Sequence, residues 1–239
     1  MRTLTLLMAL MLGLLTVPGE ENSSLAKKNG YVINLDRAEK LEKMTYSSLF
    51  SKAGIIVLED TDESLLGKVD KLEVCDNNLY VLEKGRGLFL FNKQGKFIKM
   101  IGRQGKGPGE YIDPDDISID RENKKIYELD SQTQNVLKYS GNGTFESSFK
   151  LENKGTRSTF IQPFKNALYT NLYTFDKSGK RFLLSKVDVT NGKRISFQFE
   201  ASQYNKGWNE LFSTDQHTFI SAPTGNPKFM QIFMDTIFE

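Results

Sequence analysis

The sequence predicts an all-β fold made of repeated four-stranded antiparallel units. Seventeen Phe and nine Tyr stand against only six Pro, and aromatic side chains pack well on a pleated sheet. Apolar and polar residues alternate with a period of two in many short runs, which is the pattern of strands rather than helices. Similar strand pairs also recur along the chain at a fixed interval. With 239 residues, 38% of them hydrophobic, the chain is long enough to bury a sizeable core.

The recurring interval is about 45 residues, a length typical of propeller blades. Residues 79–83 (LYVLE) align with residues 126–130 (IYELD), and each run alternates and ends on an acidic residue. Further along, Gly95 and Gly143 occupy equivalent positions in polar turns between two apolar runs. Each unit therefore reads as four strands joined by short turns. Four antiparallel strands per period describe a blade of a β-propeller, and a β-sandwich is the alternative that stays open.

A weaker third copy of the unit covers residues 159–199, and a fourth begins near residue 211. At about 45 residues per blade, the chain after residue 67 holds just under four blades. The predicted fold is therefore a β-propeller of four-stranded antiparallel blades that is incomplete, with about four blades present. The apolar run 55–59 precedes the first blade. In closed propellers an N-terminal strand often completes the last blade, because this removes an unpaired sheet edge.

The first residues predict export. A short positive start precedes an uncharged apolar run over residues 3–17, and the small residues Val17 and Gly19 suit a cleavage site. The run is shorter than the roughly 20 residues that span a bilayer, so no membrane span is expected after cleavage. We expect the periplasm, the cell surface or the medium as the location. The expected divisions are a signal peptide (1–19), a lead-in segment (20–50) and the partial propeller (51–239).

A glycine-rich stretch, residues 100–111 (MIGRQGKGPGEY), connects the first two units. It resembles the inter-blade signature of a six-bladed β-propeller family of Bacteroides-type bacteria, which is distantly similar to NHL-repeat propellers. The run 46–50, the strand 55–59 and the hairpin 91–97 are similar to that family in order and spacing. The resemblance implies an exported bacterial protein with six blades. Six blades do not fit in this chain, so we expect either a truncated product, which is favoured, or completion by blades from elsewhere.

The glycine-rich stretch also supplies the first candidate ligand-binding residues, Arg103, Lys106 and Glu110. A phosphate-binding role fails on spacing, because Pro108 and Gly109 stand where a P-loop needs Lys and a hydroxyl residue. We therefore favour a structural role, in which the glycines permit positive φ in a loop that crosses between blades.

Two further groups of residues could contact a ligand or a metal. Trp208 could stack on a sugar or a peptide side chain if it lies on a propeller face. The acidic cluster of Asp113, Asp115 and Asp116 could hold a cation such as calcium through its oxygen atoms. A solvated turn is the alternative interpretation of this cluster.

Catalytic chemistry has little support in the composition. The chain has one histidine, His217, and one cysteine, Cys75, whereas zinc sites and cysteine nucleophiles need several such groups together. We expect Cys75 to be buried, because an exposed thiol is a liability in an oxidising compartment.

The function that the sequence predicts is binding without catalysis. A net charge of +2 creates no large field for nucleic acid, so we expect an unknown protein, peptide or glycan as the partner and no cofactor. We predict an exported non-catalytic β-propeller that acts as a binding or scaffold protein. Two alternatives stay open: a metal-assisted lyase or hydrolase of the propeller type, and a truncated fragment without function.

Overall fold

The computed structural model describes residues 43, 45–152, 157–172, 180–204, 218–220, 226–230 and 237–239. In this part of the chain three four-stranded antiparallel sheets follow one another. The predicted signal peptide lies outside the described residues, as do Trp208 and His217. No helix among the residues described is long and apolar enough to cross a membrane.

Each sheet is built from four consecutive strands, and most strands end at tight turns. In chain order the strands are β1 (Lys71–Cys75), β2 (Asn78–Glu83), β3 (Gly87–Asn92), β4 (Phe97–Ile101), β5 (Arg103–Gln104), β6 (Glu110–Tyr111), β7 (Pro114–Asp120), β8 (Lys125–Asp130), β9 (Asn135–Ser140), β10 (Phe145–Lys150), β11 (Ile161–Phe164), β12 (Ala167–Asn171), β13 (Phe182–Asp188), β14 (Arg194–Glu200), β15 (Phe219–Ile220) and β16 (Lys228–Phe229). Two one-turn helices are α1 (Tyr46–Leu49) and α2 (Ala201–Tyr204).

Blade 1 comprises β1 to β4, blade 2 comprises β7 to β10, and blade 3 comprises β11 to β14, with each strand paired to the next. The turns that the repeat predicted are present. Gly95 and Gly143 close the last hairpins of blades 1 and 2 with φ of 83° and 75°, a conformation that suits glycine. The short strands β5 and β6 pair in parallel within the loop between blades 1 and 2.

The blades pack face to face, and the core lies between them. One apolar cluster joins blades 1 and 2, and a second joins blades 2 and 3. Because the central strands are covered on both faces, β2 and β8 each have five consecutive buried residues. The outer strands β4, β10 and β14 are more exposed. Strand β7 contacts both β1 and β11, so the first strands of the three blades lie side by side on the inner side of the array.

A fourth unit packs against blade 3. Strands β15 and β16 pair with each other, and Phe229 forms a further antiparallel bridge with Phe238. Their aromatic rings contact Phe199 of β14 and the side chains of β13. Three complete blades and part of a fourth confirm the predicted incomplete β-propeller.

Candidate functional site

The candidate site lies at the end of the array where the chain enters each inner strand. We call this the loop end; it contains residues 102–113, the turn after β2 (84–86) and the turn after β8 (131–134). These segments are joined by hydrogen bonds, as when the Gly85 N–H donates to Asp113 Oδ1 over 3.1 Å. Four of the residues predicted to bind a ligand or a metal lie in this region (Arg103, Lys106, Glu110 and Asp113), and Asp115 and Asp116 lie just inside β7.

The glycine-rich loop is organised around the carboxylate of Glu110. Arg103 Nε donates to Glu110 Oε1 over 2.6 Å, and the Gly107 N–H donates to Oε2 over 2.7 Å. These two donors, the Gly107 N–H first, hold the pKa of Glu110 below its usual value. A Cβ added at Gly105 would overlap Glu110 Oε2. A side chain at position 105 would therefore have to displace this carboxylate. The positive φ expected in this loop is found at Gly102 and Gly109, and not at Gly105.

Replacing Gly105 with Ala is expected to lower the melting temperature by roughly 3 °C, because the new methyl group must displace the anchored Glu110 carboxylate. A thermal melt followed by circular dichroism measures this. Gly54→Ala is the matched control, because nothing lies within 4 Å of a Cβ at that position. Equal melting temperatures for the two variants would contradict the assigned role of Glu110.

The three aspartates of the acidic cluster point to different partners. Asp113 accepts the Gly85 N–H, and Asp115 Oδ2 accepts the backbone N–H and the hydroxyl of Ser131. Asp116 is fully buried and lies between two neighbouring blades. Within the described part of the chain no group of three or more His, Cys, Asp or Glu could hold a metal ion. Calcium binding by this cluster stays a prediction.

Asp116 connects the inner strands of all three blades. Its Oδ1 accepts a hydrogen bond from Lys71 Nζ of β1 over 2.7 Å, and its Oδ2 accepts the Ile161 N–H of β11 over 2.8 Å. The Lys71 side chain is itself only 16% exposed, so this ion pair is largely shielded from water. Asp116 therefore has a structural role that the sequence did not indicate.

The other carboxylates at the loop end repeat with the blades. Asp70 accepts the Lys84 N–H at 2.9 Å just as Asp115 accepts the Ser131 N–H at 3.1 Å. In the same way Glu83 accepts the Gly67 N–H and Asp130 accepts the Ile112 N–H. The signal that could have revealed these pairs is their spacing, which matches the blade period of about 45 residues.

Basic side chains at the loop end face the solvent. The Arg103 side chain is 82% exposed although it pairs with Glu110, whose side chain is only 15% exposed. Lys106 and Arg157 are also exposed. Arg157 donates to the Ser131 hydroxyl, which places it beside Asp115. At the loop end the carboxylates are therefore turned away from the solvent, whereas the cationic side chains are exposed to it.

Cys75 is buried in the core between blades 1 and 2, as the sequence predicted. Burial raises the pKa of its thiol, so the neutral form is favoured. This environment keeps the sulfur unreactive.

The burial of one further acid, Glu128, was not predicted from the sequence. Its side chain lies on the face of blade 2 that contacts blade 1, opposite Ile117 and Leu137 in the sheet. No hydrogen bond of good geometry reaches either carboxylate oxygen from the described residues. Burial raises the pKa of Glu128 to about 8; the nearby Tyr139 hydroxyl partly offsets this effect, and Asp130 adds to it.

Comparison with solved structures supports the fold. A crystal structure from Bacteroides fragilis, of a protein named for its expected export, is similar with 23% identity and a TM-score of 0.58, over 73% of this chain and 48% of that protein. The present chain thus spans about half the length of that protein.

Two more distant structures are also similar. Glutaminyl cyclase of Myxococcus xanthus has 13% identity and a TM-score of 0.44, over 70% of this chain and 69% of that one. BamB of Moraxella catarrhalis has 8% identity and a TM-score of 0.37, over 61% and 39%.

Comparison with curated proteins gives no significant match. A family model described as "Domain of unknown function (DUF4934)" matches residues 30–239. Because the match covers most of the chain, the protein belongs to the DUF4934 family.

Proposed function

We propose that this protein is an exported, non-catalytic β-propeller that binds an anionic ligand at the loop end. The observation that carries the proposal is the separation of charge there. Carboxylates are turned inward onto backbone N–H groups and Arg103, while the guanidinium of Arg103 and the ammonium of Lys106 face outward. A ligand that presents carboxylates would meet these cations first.

Hydrogen bonds within the loop hold the Arg103 side chain in place. The Arg103 guanidinium is held by Glu110, which the Gly107 N–H holds in turn. A planar guanidinium with several donors can bind a second carboxylate while it keeps the first. Lys106 lies between these residues in the same short loop and adds a positive charge. Binding loops carried by a rigid β scaffold are a common arrangement for recognition.

Export is supported by the apolar start of the sequence and by the similar Bacteroides protein named for its expected export. In an exported protein the loop end would meet ligands of the envelope or the medium, such as acidic peptides or glycans. The six-bladed, NHL-like form implied by the sequence resemblance belongs to the same proposal. No observation at the loop end favours the metal-assisted lyase or hydrolase.

The test uses fluorescein-labelled decaglutamate as the probe, with labelled decaglutamine as its neutral counterpart. We expect fluorescence anisotropy to show binding of decaglutamate alone, with an affinity that falls as added salt screens the charges. The double variant Arg103→Ala/Lys106→Ala is expected to bind about fivefold more weakly, since each exposed ion pair contributes a few tenths to one kcal/mol.

Lys124→Ala is the matched control for this test. Lys124 is exposed like Lys106 and pairs with an acid, Asp76, as Arg103 pairs with Glu110, but it lies in the turn after β7, away from the loop end. Its replacement should leave binding unchanged. Absence of decaglutamate binding, or equal losses in the Lys124 and Arg103/Lys106 variants, would overturn the proposal.

A further inference from the structure

The glycine-rich loop rests on two tyrosine side chains that belong to the core between blades 1 and 2. Tyr111 and Tyr139 are 2% and 1% exposed. The Tyr139 hydroxyl donates to the Gly109 carbonyl over 3.4 Å, and the Tyr111 hydroxyl donates to the Arg86 carbonyl over 3.2 Å. Both acceptors are backbone groups of the loop end. Two hydroxyl groups therefore connect the core to the candidate binding site.

These hydroxyl groups are packed against glycines. A Cβ on Gly87 would overlap the Tyr111 hydroxyl, and a Cβ on Gly102 would lie only 2.6 Å from the Tyr139 hydroxyl oxygen. Gly102 belongs to the glycine-rich loop and has a φ of 69°. The Tyr139 hydroxyl consequently lies directly against the backbone of this loop, at Gly102 as well as at Gly109.

The buried carboxyl of Glu128 lies beside the same hydroxyl. Glu128 and Tyr139 are on the neighbouring strands β8 and β9, and both side chains face blade 1. The Tyr139 hydroxyl is close enough to act on the carboxyl electrostatically. An acid that is fully buried without a well-formed hydrogen bond is rare and calls for a physical explanation. Here the Tyr139 hydroxyl is shared between this acid and the carbonyl of Gly109.

The other ionisable groups of the interface differ from Glu128. The neutral ones are Cys75, Tyr80, Tyr111 and Tyr139. Burial raises the pKa of each of these four groups, so they keep their protons up to about pH 9. The charged ones have partners: Lys71 pairs with Asp116, Glu73 with Arg121, Lys99 with the Gly143 carbonyl, and Asp130 with the N–H groups of Ile112 and Thr133.

The proton on Glu128 decides which bond the Tyr139 hydroxyl can make. A hydroxyl donates one proton and can accept at the same time. A protonated Glu128 donates to the Tyr139 oxygen and leaves the hydroxyl proton to the Gly109 carbonyl. An ionised Glu128 can only accept, so it competes for that proton, and a charged acceptor forms the stronger bond. Ionisation of Glu128 therefore removes a hydrogen bond from the loop.

We propose that Glu128 is a proton-dependent positioning residue for the glycine-rich loop, and that its ionisation weakens ligand binding at the loop end. Gly109 directly precedes Glu110, whose carboxylate holds Arg103. Loss of the bond to the Gly109 carbonyl thus loosens the residues that present the cation. The effect on the ligand rests on the function proposed above, and it adds that binding is strong at neutral pH and weak at alkaline pH.

The first test follows the loop without a ligand, by amide hydrogen exchange and mass spectrometry. Wild type is compared with Glu128→Gln at pH 6.5 and at pH 9, because a comparison at equal pH removes the intrinsic effect of pH on exchange. The Gln amide cannot ionise and can still donate to Tyr139. We expect residues 102–111 to exchange equally in the two proteins at pH 6.5 and roughly fivefold faster in the wild type at pH 9.

Residues 167–171 of blade 3 are the internal reference, because global unfolding would expose both regions. A wild-type loop that exchanges no faster than the Glu128→Gln loop at pH 9, relative to this reference, would overturn the proposal.

Tyr139→Phe separates the loop effect from the stability effect of the same carboxyl. Without the hydroxyl the loop should exchange fast at both pH values, and adding Glu128→Gln should change nothing. Urea denaturation shows whether Glu128 still ionises in this variant. Tyr111→Phe is the matched control, since the hydroxyl that it removes bonds to Arg86 and not to Gly109, and it should keep the pH response. A pH response that survives in Tyr139→Phe would contradict the role of Glu128.

The second test measures the affinity for labelled decaglutamate at the same two pH values and constant salt. Glutamate, lysine and arginine side chains ordinarily keep their charge over this range, so the attraction itself changes little. The wild-type affinity should fall roughly threefold from pH 6.5 to pH 9, whereas that of Glu128→Gln should stay nearly constant. Equal pH profiles for the two proteins would overturn the inference alone. Absence of binding by both at pH 6.5 would overturn the proposed function, and hydrogen exchange would still decide whether Glu128 positions the loop.

Discussion

Replacing Asp116 with Ala is expected to lower the free energy of unfolding by about 3–5 kcal/mol, the usual cost of removing one partner from a buried ion pair. The change leaves Lys71 Nζ and the Ile161 N–H without their acceptor, and both lie in or beside the inner strands. For a chain of this size the melting temperature should fall by roughly 10 °C. Urea denaturation and a thermal melt of the variant and the wild type measure the two quantities.

The control is Asp115→Ala, at the neighbouring position. Asp115 accepts its hydrogen bonds from the N–H and the hydroxyl of Ser131, a neighbour within its own blade, so its loss should cost about 1 kcal/mol. A third variant, Lys71→Met, separates the two contributions of Asp116. Combined with Asp116→Ala it should cost less than the sum of the single changes, because no unpaired buried ammonium remains. Equal losses at positions 115 and 116 would contradict the assigned role.

Glu128 is expected to make stability fall as the pH rises. Its folded pKa of about 8 lies above its ordinary value of 4.5, so the folded protein holds the proton more tightly than the unfolded chain. The contribution of this proton to the free energy of unfolding is therefore complete at pH values below 4.5, and it is lost as the pH rises to about 8. Within that window the free energy of unfolding should fall by roughly 1.4 kcal/mol per pH unit from this group alone.

The measurement compares wild type with Glu128→Gln by urea denaturation between pH 5 and pH 9. The amide cannot ionise, so the variant should become more stable than the wild type as the pH rises. Glu128→Val is a second arm, because Val81 occupies the equivalent position in blade 1. Glu122→Gln is the control, at an exposed turn position. A difference between wild type and Glu128→Gln that does not change with pH would contradict the assignment.

The repeat could be recognised in the sequence because the hairpins of each blade need particular residue types at fixed positions. Alternating apolar residues and the glycines at 95 and 143 predicted the strands and turns of blades 1 and 2, since a tight turn needs a particular residue at a particular place. Blade 3 was placed more coarsely, with its first strand expected from Thr159 and found at Ile161–Phe164. Residues 55–59 were expected as a strand, but they pair with no strand in the described part of the chain, although Glu59 is hydrogen-bonded to Gly95 and Phe97 of blade 1.

The site was harder to predict because its contacts cross between blades. Asp116 looked like part of an acidic turn, and nothing local indicates that its partners are Lys71 and Ile161, each 45 residues away. For Glu128 the alternation of residues 126–130 shows only that it lies on the opposite face of the strand from Tyr127 and Leu129. A central strand covered on both faces has no solvent side, so nothing local indicates that this face is buried as well.

The contacts of Asp116 with both neighbouring blades also affect how the molecule unfolds. Arrays of repeats can lose their units one at a time, because each unit contacts only its neighbours. Here a single side chain in the middle blade is bonded to the blade on either side. Fraying from either end must therefore break a bond to that residue before it reaches the middle, which ties the three blades into one cooperative unit with its most persistent structure at the centre.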